Sequence, residues 1–370
     1  MEREVCWGPL LAAALALPAA TPVQADSPPD RASVSLKVLD YADSQPGVDR
    51  VRVSSPALHL TLPVAGRWRL DAGGVSDGIS GASPAYHSVA LGRFSDRRRA
   101  GNLAVTRYFD GATLVVGAAH SSEADYRSDS LSVQGTLASD DRNITWSAGL
   151  AASRDQIDPV NRLVSNERKA ATDVVLGLTQ VLGSHDVVQL TAGHARQRGY
   201  LSDPYKVLDR RPRTRDATRI LLRWNHHLPS LDAAVRSHYR YWRDNWGLQT
   251  HTLGLEFAQP LGRRVTVTPS VRWYTQGAAR FYVDVDPAAG PFLPQPPAGA
   301  AYSTLDHRMS AFGARSGALK VEWRLDADWT GDLKFEHYEQ RGSWRLGGSG
   351  SPGLEPVRAR IWQVGLVRHF

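Results

Sequence analysis

Polar and apolar side chains alternate with a period of two along most of this chain, in segments of ten to fourteen residues. In RVTVTPSVRWYTQ (264–276), Val267 and Val271 share one face, whereas Thr266 and Arg272 share the other. This period is typical of a β-strand with one apolar and one polar face. No helical period competes with it over a comparable length, so the sequence predicts an all-β fold.

Short and long connections alternate between about sixteen such segments, which occupy residues 32–370. A soluble sandwich has no reason to collect its tight turns at one end, but a transmembrane barrel has short periplasmic turns and long extracellular loops. The segments also have the length of tilted strands that cross an outer membrane. We therefore predict a transmembrane antiparallel up-and-down β-barrel of about sixteen strands. Its long connections are 78–95, 155–170, 198–216, 277–307 and 344–357.

Residues 1–25 are predicted to be a signal peptide. PLLAAALALPAA is an apolar stretch too short to span a bilayer, and Val23 and Ala25 are the small residues expected before a cleavage site. The acidic residues of MEREVCWG depart from the usual basic start of such peptides. We expect Sec-type export with cleavage near Ala25, followed by a short linker, 26–31, and the barrel.

Cysteine and charge composition exclude several classes of function. The only cysteine, Cys6, lies in the predicted signal peptide, so the mature chain would have no disulfide, CxxC motif or Cys–zinc site. The formal net charge is +7, but the basic residues form no long run. We therefore expect no nucleic-acid partner.

The last segment, IWQVGLVRHF, resembles the terminal strand of outer-membrane barrels, which the barrel-assembly machinery recognises by a final aromatic residue. Arg368 departs from the usual apolar residue at its position. The predicted assembly signal consists of four residues on one face of this strand: Trp362, Val364, Leu366 and Phe370.

Charged side chains are predicted to lie on the inner face of strands eleven to fifteen. Two interpretations stay open: they line an anion-preferring pore, or they pair with one another and make the interior rigid. The candidates for lining the lumen are Arg236, His238, Arg240, Glu256, Arg272, Lys320, Glu322, Lys334 and Glu336, together with Arg324.

Three stretches resemble the DUF3570 family: GYLSDPYKV (199–207), YRYWRDNWGLQTHT (239–252) and YSTLDHRMSAFGA (302–314). The resemblance extends from about residue 96 to the C-terminus. It implies a bacterial outer-membrane β-barrel of unknown function, and it does not indicate a substrate. The loop residues that carry it are Tyr200, Asp203, Pro204, Tyr205, Asp244, Trp246, Gly247, Asp306 and Arg308.

These motif residues have a structural interpretation as well as a functional one. Asp203 and Pro204 are expected to start a turn in an outer loop, and Gly247 suits a positive φ in a tight turn. Trp246 is predicted to lie in the aromatic girdle at the membrane interface. Asp306 and Arg308 are expected near the outer rim, where a ligand site is the alternative to simple turns.

Signatures of an enzyme are thin: the chain contains no P-loop and no H-E-x-x-H pattern. We expect no catalytic residues, no cofactor and no metal site. Asp284 and Asp286 could supply oxygen ligands to Ca²⁺, but a solvated acidic loop is the preferred interpretation.

The leading hypothesis for function is a channel for small polar or anionic solutes in the outer membrane of a Gram-negative bacterium. The alternative is a non-conducting barrel, partly plugged by loop 277–307, that serves as a structural or docking component of a redox or secretion assembly of the cell envelope. Expected partners are outer-membrane lipid, lipopolysaccharide and the barrel-assembly machinery. A homo-oligomer and a periplasmic partner are compatible with both hypotheses.

Overall fold

The computed structural model describes residues 27–82, 93–206, 208–285 and 295–370. Within these ranges, sixteen antiparallel strands form one closed barrel in which each strand pairs with its neighbours in sequence. The predicted fold class and strand number are therefore confirmed. The predicted signal peptide lies outside the described residues, as does Asp286, whereas Asp284 is described and exposed.

The strands have the length expected for an outer-membrane barrel. Two short 3-10 helices, His307–Met309 and Gly342–Trp344, lie in the connections. In the described part of the chain, no helix has both the length and the apolar composition needed to cross a membrane. The strands are β1 (Ser33–Gln45), β2 (Val48–Val64), β3 (Trp68–Ala82), β4 (Arg93–Phe109), β5 (Ala112–Ser122), β6 (Tyr126–Ala138), β7 (Ile144–Ile157), β8 (Glu167–Val181), β9 (Asp186–Gly199), β10 (Thr214–Leu228), β11 (Ala233–Asp244), β12 (Gln249–Leu261), β13 (Val265–Gln276), β14 (Phe312–Arg324), β15 (Trp329–Arg341) and β16 (Val357–His369).

The first and last strands close the barrel. β1 and β16 pair from Ser33 opposite His369 to Ser44 opposite Arg358. Beyond the strand ends, Ala32 and Phe370 exchange two backbone hydrogen bonds of 3.0 Å. Closure leaves no strand edge with unpaired backbone groups, which a bilayer interior would penalise.

The two ends of the barrel differ. One end, here called the turn rim, has the tight connections 65–67, 110–111, 139–143, 182–185, 229–232, 262–264 and 325–328. The opposite end, here called the loop rim, has the longest ones: 158–166, 200–213, 277–311 and 342–356. The predicted alternation of short and long connections is therefore present among the described ones, although 46–47, 123–125 and 245–248 at the loop rim are also short. Most of the predicted long connection 78–95 lies outside the described residues.

Side chains alternate between an apolar outward face and a polar inward face. On β14, Leu319 is outward and exposed, whereas Lys320 points inward and donates to Glu322 at 2.8 Å. On β16 the outward side chains include the predicted assembly signal, Trp362, Val364, Leu366 and Phe370, all of which are exposed. The assignment of these four residues to recognition by the assembly machinery stays a prediction.

Candidate functional site

The motif-bearing connections of β9–β14 pack together at the loop rim. An isolated bridge between Arg210 and Ser303 ties the first connection to the longest one, and a second bridge, between Tyr282 and Thr304, lies within the longest one. The sequence placed the motifs in separate turns, whereas the structure brings them into one assembly. We call it the loop cap; its described residues are 200–206, 208–213, 245–248, 277–285 and 295–311.

Asp306 is the central carboxylate of the loop cap and has no exposed surface. Its Oδ2 accepts hydrogen bonds from Arg211 Nη2 at 2.7 Å and from Arg308 Nε at 2.7 Å. Arg308 Nη2 also donates to Asp203 Oδ2 at 2.9 Å. Buried charges are tolerated only when they are paired in this way, so the network fixes the first and third motifs relative to each other.

The ionisation of this network follows from its contacts. Burial alone would raise the pKa of Asp306, but Arg308, Lys206 and Arg211 hold it well below its usual range. Arg211 also donates from Nε to Asp209 Oδ1 at 3.0 Å. Asp306 is therefore a carboxylate at neutral pH, held between two guanidinium groups.

The second motif forms the tight turn that its glycine suggested. Asp244 Oδ1 accepts from the backbone N–H groups of Trp246 at 3.0 Å and Leu248 at 2.9 Å, while its Oδ2 accepts from Arg215 Nε at 2.7 Å. Gly247 has a φ of 97°, which side-chain-bearing residues rarely adopt. The turn therefore depends on both the aspartate and the glycine.

The prediction that Trp246 lies in an interfacial girdle is wrong. The side chain is 2% exposed, and its indole Nε1 donates to the carbonyl of Thr214 at 2.9 Å. The Arg215 guanidinium lies 4.5 Å from its ring centroid. The Gly247 turn directs the ring into the loop cap and not towards the membrane. In the cap, the ring packs in an apolar cluster with Leu248, Ala279, Met309 and Phe281.

Beneath the loop cap is a cavity of about 340 Å³, here called the chamber, bounded by the inner wall of β11–β15. Four arginines contribute to its lining: Arg240, Arg272 and Arg315 from the strands and Arg308 from the cap. No aspartate or glutamate is among the described residues that line it. The full lining is Arg240, Thr252, Arg272, Tyr274, Gln276, His307, Arg308, Phe312, Ala314, Arg315, Ser316, Tyr338 and Gln340.

The nine predicted lumen-lining residues lie on the inward faces of five neighbouring strands, β11–β15, with Arg324 on the same face of β14. Most of their charges are paired across or along the wall. The ion pairs are Arg236 with Glu256 at 4.0 Å, Arg272 with Glu336 at 3.3 Å, Lys320 with Glu322 at 2.8 Å and Lys334 with Glu336 at 2.9 Å.

Arg240 differs from the other wall cations. Its Nη2 donates to the Thr252 hydroxyl at 3.3 Å, and no carboxylate of the described residues lies within salt-bridge distance. His238 lies two positions away on the same face, and its imidazole occupies the space that a side chain at position 254 would need; that residue is Gly254. Positive charge is therefore balanced towards the turn rim and in excess where the wall meets the chamber.

Sequence reasoning missed two groups at the loop rim. The first is Asp209 and Arg211, which complete the network around Asp306 but lie outside the three stretches that carry the resemblance. The second consists of Asp96, Glu123 and Asp125, which each bring a carboxylate oxygen within 4.8 Å of the others. The pairing of β4 with β5 brings these acids together, and a register prediction would have been needed to find them.

Family comparison agrees with the three motifs. The family model described as "Protein of unknown function (DUF3570)" matches residues 88–357. The chain belongs to the DUF3570 family. All three motifs, the loop cap and most of the wall lie inside the matched range, so the resemblance seen in the sequence is confirmed. A comparison of this DUF3570 protein with curated sequences finds no match.

Solved structures similar to this DUF3570 protein include a bacterial polysaccharide outer membrane secretin, with a TM-score of 0.56 and 8% identity, covering 92% of this chain and 98% of that one. The siderophore receptor PirA from Pseudomonas aeruginosa matches with a TM-score of 0.46 and 10% identity over 93% and 81%. OccD3 (OpdP) of Pseudomonas aeruginosa gives 0.45 and 10% over 97% and 98%. The likeness to the outer membrane secretin, whose TM-score is above 0.5, shows that the fold is that of a bacterial outer-membrane barrel.

Proposed function

We propose that this protein is an outer-membrane channel for small anionic solutes and that the chamber is its selective segment. One observation carries the proposal: Arg240, Arg272 and Arg308 line a single cavity that has no carboxylate among its described lining residues. Rings of arginine set anion selectivity in pores because they lower the energy of an anion and raise that of a cation.

The chamber suits a small solute by size and chemistry. A volume of about 340 Å³ is near the lower end of ligand pockets, which begin at roughly 300 Å³. Guanidinium groups bind carboxylate and phosphate oxygens through paired hydrogen bonds. The hydroxyls of Tyr274 and Tyr338 also lie in the lining, but they donate to Gln276 Oε1 and Gln340 Oε1, so the guanidinium groups would provide the donors to a solute. A small carboxylate or phosphate ester is the solute class that these groups would recognise.

The remainder of the wall supports passage rather than tight binding. Towards the turn rim, Arg236 and Glu256 are more than 40% exposed, so they would border water-accessible space. Under this proposal the loop rim faces the outside and the turn rim the periplasm, after Sec-type export and cleavage near Ala25. A homo-oligomer, lipopolysaccharide contacts and a periplasmic partner stay predictions that accompany it.

The alternative, a non-conducting barrel that docks an envelope assembly, has one observation in its favour. The loop cap lies over the chamber and is held by the buried contacts of Asp306 with Arg211 and Arg308. A cap held this firmly could block the lumen and present a fixed surface to a partner. The two functions differ in whether the folded barrel conducts ions.

The experiment is conductance of the folded protein in a planar bilayer at about 0.1 M salt, where screening extends over roughly 10 Å. The reversal potential in a KCl gradient gives the anion-to-cation permeability ratio. Arg240→Glu should lower this ratio about fivefold, since that factor corresponds to roughly 1 kcal/mol. Arg243→Glu, the same charge change on the outward face of β11, is the matched control and should leave the ratio nearly unchanged.

Three outcomes distinguish the hypotheses. Anion-preferring current whose permeability ratio falls about fivefold in Arg240→Glu and stays nearly unchanged in Arg243→Glu would support the channel. Equal effects of both variants on the permeability ratio would show that the chamber does not determine ion selectivity. A folded, inserted barrel without current would favour the docking function, particularly if deletion of part of the 277–311 connection opened it.

A further inference from the structure

Three carboxylates lie together at the loop rim, in a part of the chain that precedes the three DUF3570 motifs. Asp96 is near the start of β4, and Glu123 and Asp125 belong to the 123–125 connection between β5 and β6. One oxygen from each side chain lies within 4.8 Å of the other two. Asp125 is only 7% exposed, so this is not a group of freely solvated surface acids.

Two oxygens of this group are buried and lack a hydrogen-bond donor. Asp125 Oδ1 and Asp96 Oδ2 have no partner in the described part of the chain and almost no accessible surface. The second oxygen of each carboxylate already accepts a hydrogen bond. Asp125 Oδ2 accepts from the Tyr205 hydroxyl at 2.6 Å, and Asp96 Oδ1 accepts from the Arg97 backbone N–H at 2.7 Å. Leaving a buried acceptor unpaired is costly, so these oxygens point to a missing ligand.

Protein charges among the described residues do not neutralise the group. Arg98 is the nearby cation, but its Nε donates to Asp77 Oδ2 at 2.6 Å, and both side chains of that pair are buried. Asp77 therefore offsets the charge of Arg98. Three carboxylates remain at this position; like charges this close repel one another, and a bound cation would relieve that repulsion.

We propose that Asp96, Glu123 and Asp125 bind one Ca²⁺ ion. Calcium prefers carboxylate and water oxygens at about 2.3–2.6 Å, so two ligand oxygens on opposite sides of it lie roughly 5 Å apart. The limit of 4.8 Å in this group accommodates that geometry. Magnesium, at about 2.1 Å, requires closer oxygens in a stricter octahedron, so Ca²⁺ should bind more tightly than Mg²⁺. Water would complete the coordination.

The ion would also support the loop cap through a continuous series of hydrogen bonds. Asp125 accepts from the Tyr205 hydroxyl, and the Tyr205 backbone N–H donates to Asp203 Oδ1 at 3.1 Å. Asp203 in turn accepts from Arg308, which lines the chamber. Because Ca²⁺ would hold Asp125 in place, calcium at the rim should order the first motif loop, 200–206.

The test is a calcium titration of the whole chain folded in detergent and stripped with EDTA, followed by calorimetry with CaCl₂ and separately with MgCl₂. The wild type should bind one Ca²⁺ per chain and Mg²⁺ more weakly. Asp96→Asn and Glu123→Gln should each weaken Ca²⁺ binding by more than about tenfold, since even loss of an outer-sphere partner commonly costs that much. Asp140→Asn, which changes an exposed acid at the turn rim, is the matched control.

A second measurement covers the link to the loop cap and does not depend on the folding of the ligand variants. Calcium should slow amide hydrogen exchange of residues 200–206 in the wild type relative to EDTA. Tyr205→Phe should keep calcium binding but lose this protection. Absence of binding by the wild type, equal binding by Glu123→Gln, or identical exchange of residues 200–206 with calcium and with EDTA would each overturn the proposal.

Discussion

Arg308 Nη2 donates to Asp203 Oδ2 across 2.9 Å, although 105 positions separate the two residues in the chain. Each residue belongs to a different DUF3570 motif and to a different connection of the loop rim. The contact therefore joins two motifs that look like independent turns in the sequence. It also places the Arg308 guanidinium between the buried cap and the chamber.

A double-mutant cycle on this pair should show coupling. We expect Asp203→Asn and Arg308→Gln to be non-additive by about 1–2 kcal/mol, below the value of a fully buried pair because Arg308 is 31% exposed. The measurement is the free energy of unfolding from urea titrations in lipid vesicles. The Arg31–Asp328 pair at the turn rim is exposed on both sides and is the control, with coupling of under about 1 kcal/mol. Additive effects at 203 and 308 would contradict the network.

The pH dependence of the loop cap should follow Asp306. Its pKa is depressed in the folded protein by Arg308, Lys206 and Arg211 despite burial. A carboxyl group with a lowered folded pKa stabilises the fold above its unfolded pKa of about 3.9 and loses that contribution as pH falls through the folded value. The advantage of the wild type over Asp306→Asn should therefore be constant from pH 7 to about pH 5 and decline at lower pH.

Hydrogen exchange of residues 208–213, corrected for intrinsic rates, measures that advantage. Asp306→Asn removes the negative charge that Arg211 and Arg308 share and replaces one acceptor oxygen by an NH2 donor, so exchange should be faster at neutral pH. A difference between the two proteins that grew on acidification would show that the assigned ionisation of Asp306 is wrong.

The strands could be predicted from the sequence because each strand has two faces in different surroundings. A shift of one residue would move Leu319 inwards and Lys320 outwards, so the pattern fixes the faces of β14 without knowledge of its neighbours. The same argument assigned the inward faces of β11–β15. Strand number and the positions of the longest connections followed from the same period.

The loop cap could not be predicted in this way, since no period governs its contacts. Arg211 and Asp306 lie 95 positions apart, and neither residue is in a strand. The misplacement of Trp246 has the same origin: the general preference of tryptophan for membrane interfaces was applied to a residue whose turn directs it into a buried cluster. Long-range packing decided both cases.

Exchanging the two faces of β14 tests the membrane orientation of the barrel. Leu319→Lys places a charge on the outward face, where lysine near the bilayer midplane costs about 2–4 kcal/mol. Lys320→Leu removes a charge from the inward face, where Lys320 is 37% exposed and pairs with Glu322, and should cost under about 1 kcal/mol. Urea unfolding in vesicles compares them. Equal losses of stability would contradict the assignment of the faces.

The last prediction concerns Gly193, which makes room for an ion pair that crosses a strand. Arg219 on β10 reaches over β9 to Asp173 on β8 with two hydrogen bonds of 2.7 and 2.6 Å. A Cβ at Gly193 would lie 2.9 Å from the Arg219 guanidinium carbon. Gly193→Ala should displace the guanidinium and cost about 1 kcal/mol of unfolding free energy, moderated by the partial exposure of the pair.

Gly317 on β14 is the matched control, because a Cβ there would meet no atom within 4 Å. Gly317→Ala should be neutral or slightly stabilising, since alanine restricts the unfolded chain. The double variant Gly193→Ala with Arg219→Ala distinguishes the mechanism: once the guanidinium is absent, alanine at 193 should cost nothing further. A persistent penalty would show that Gly193 is required for the backbone of β9 and not for the ion pair above it.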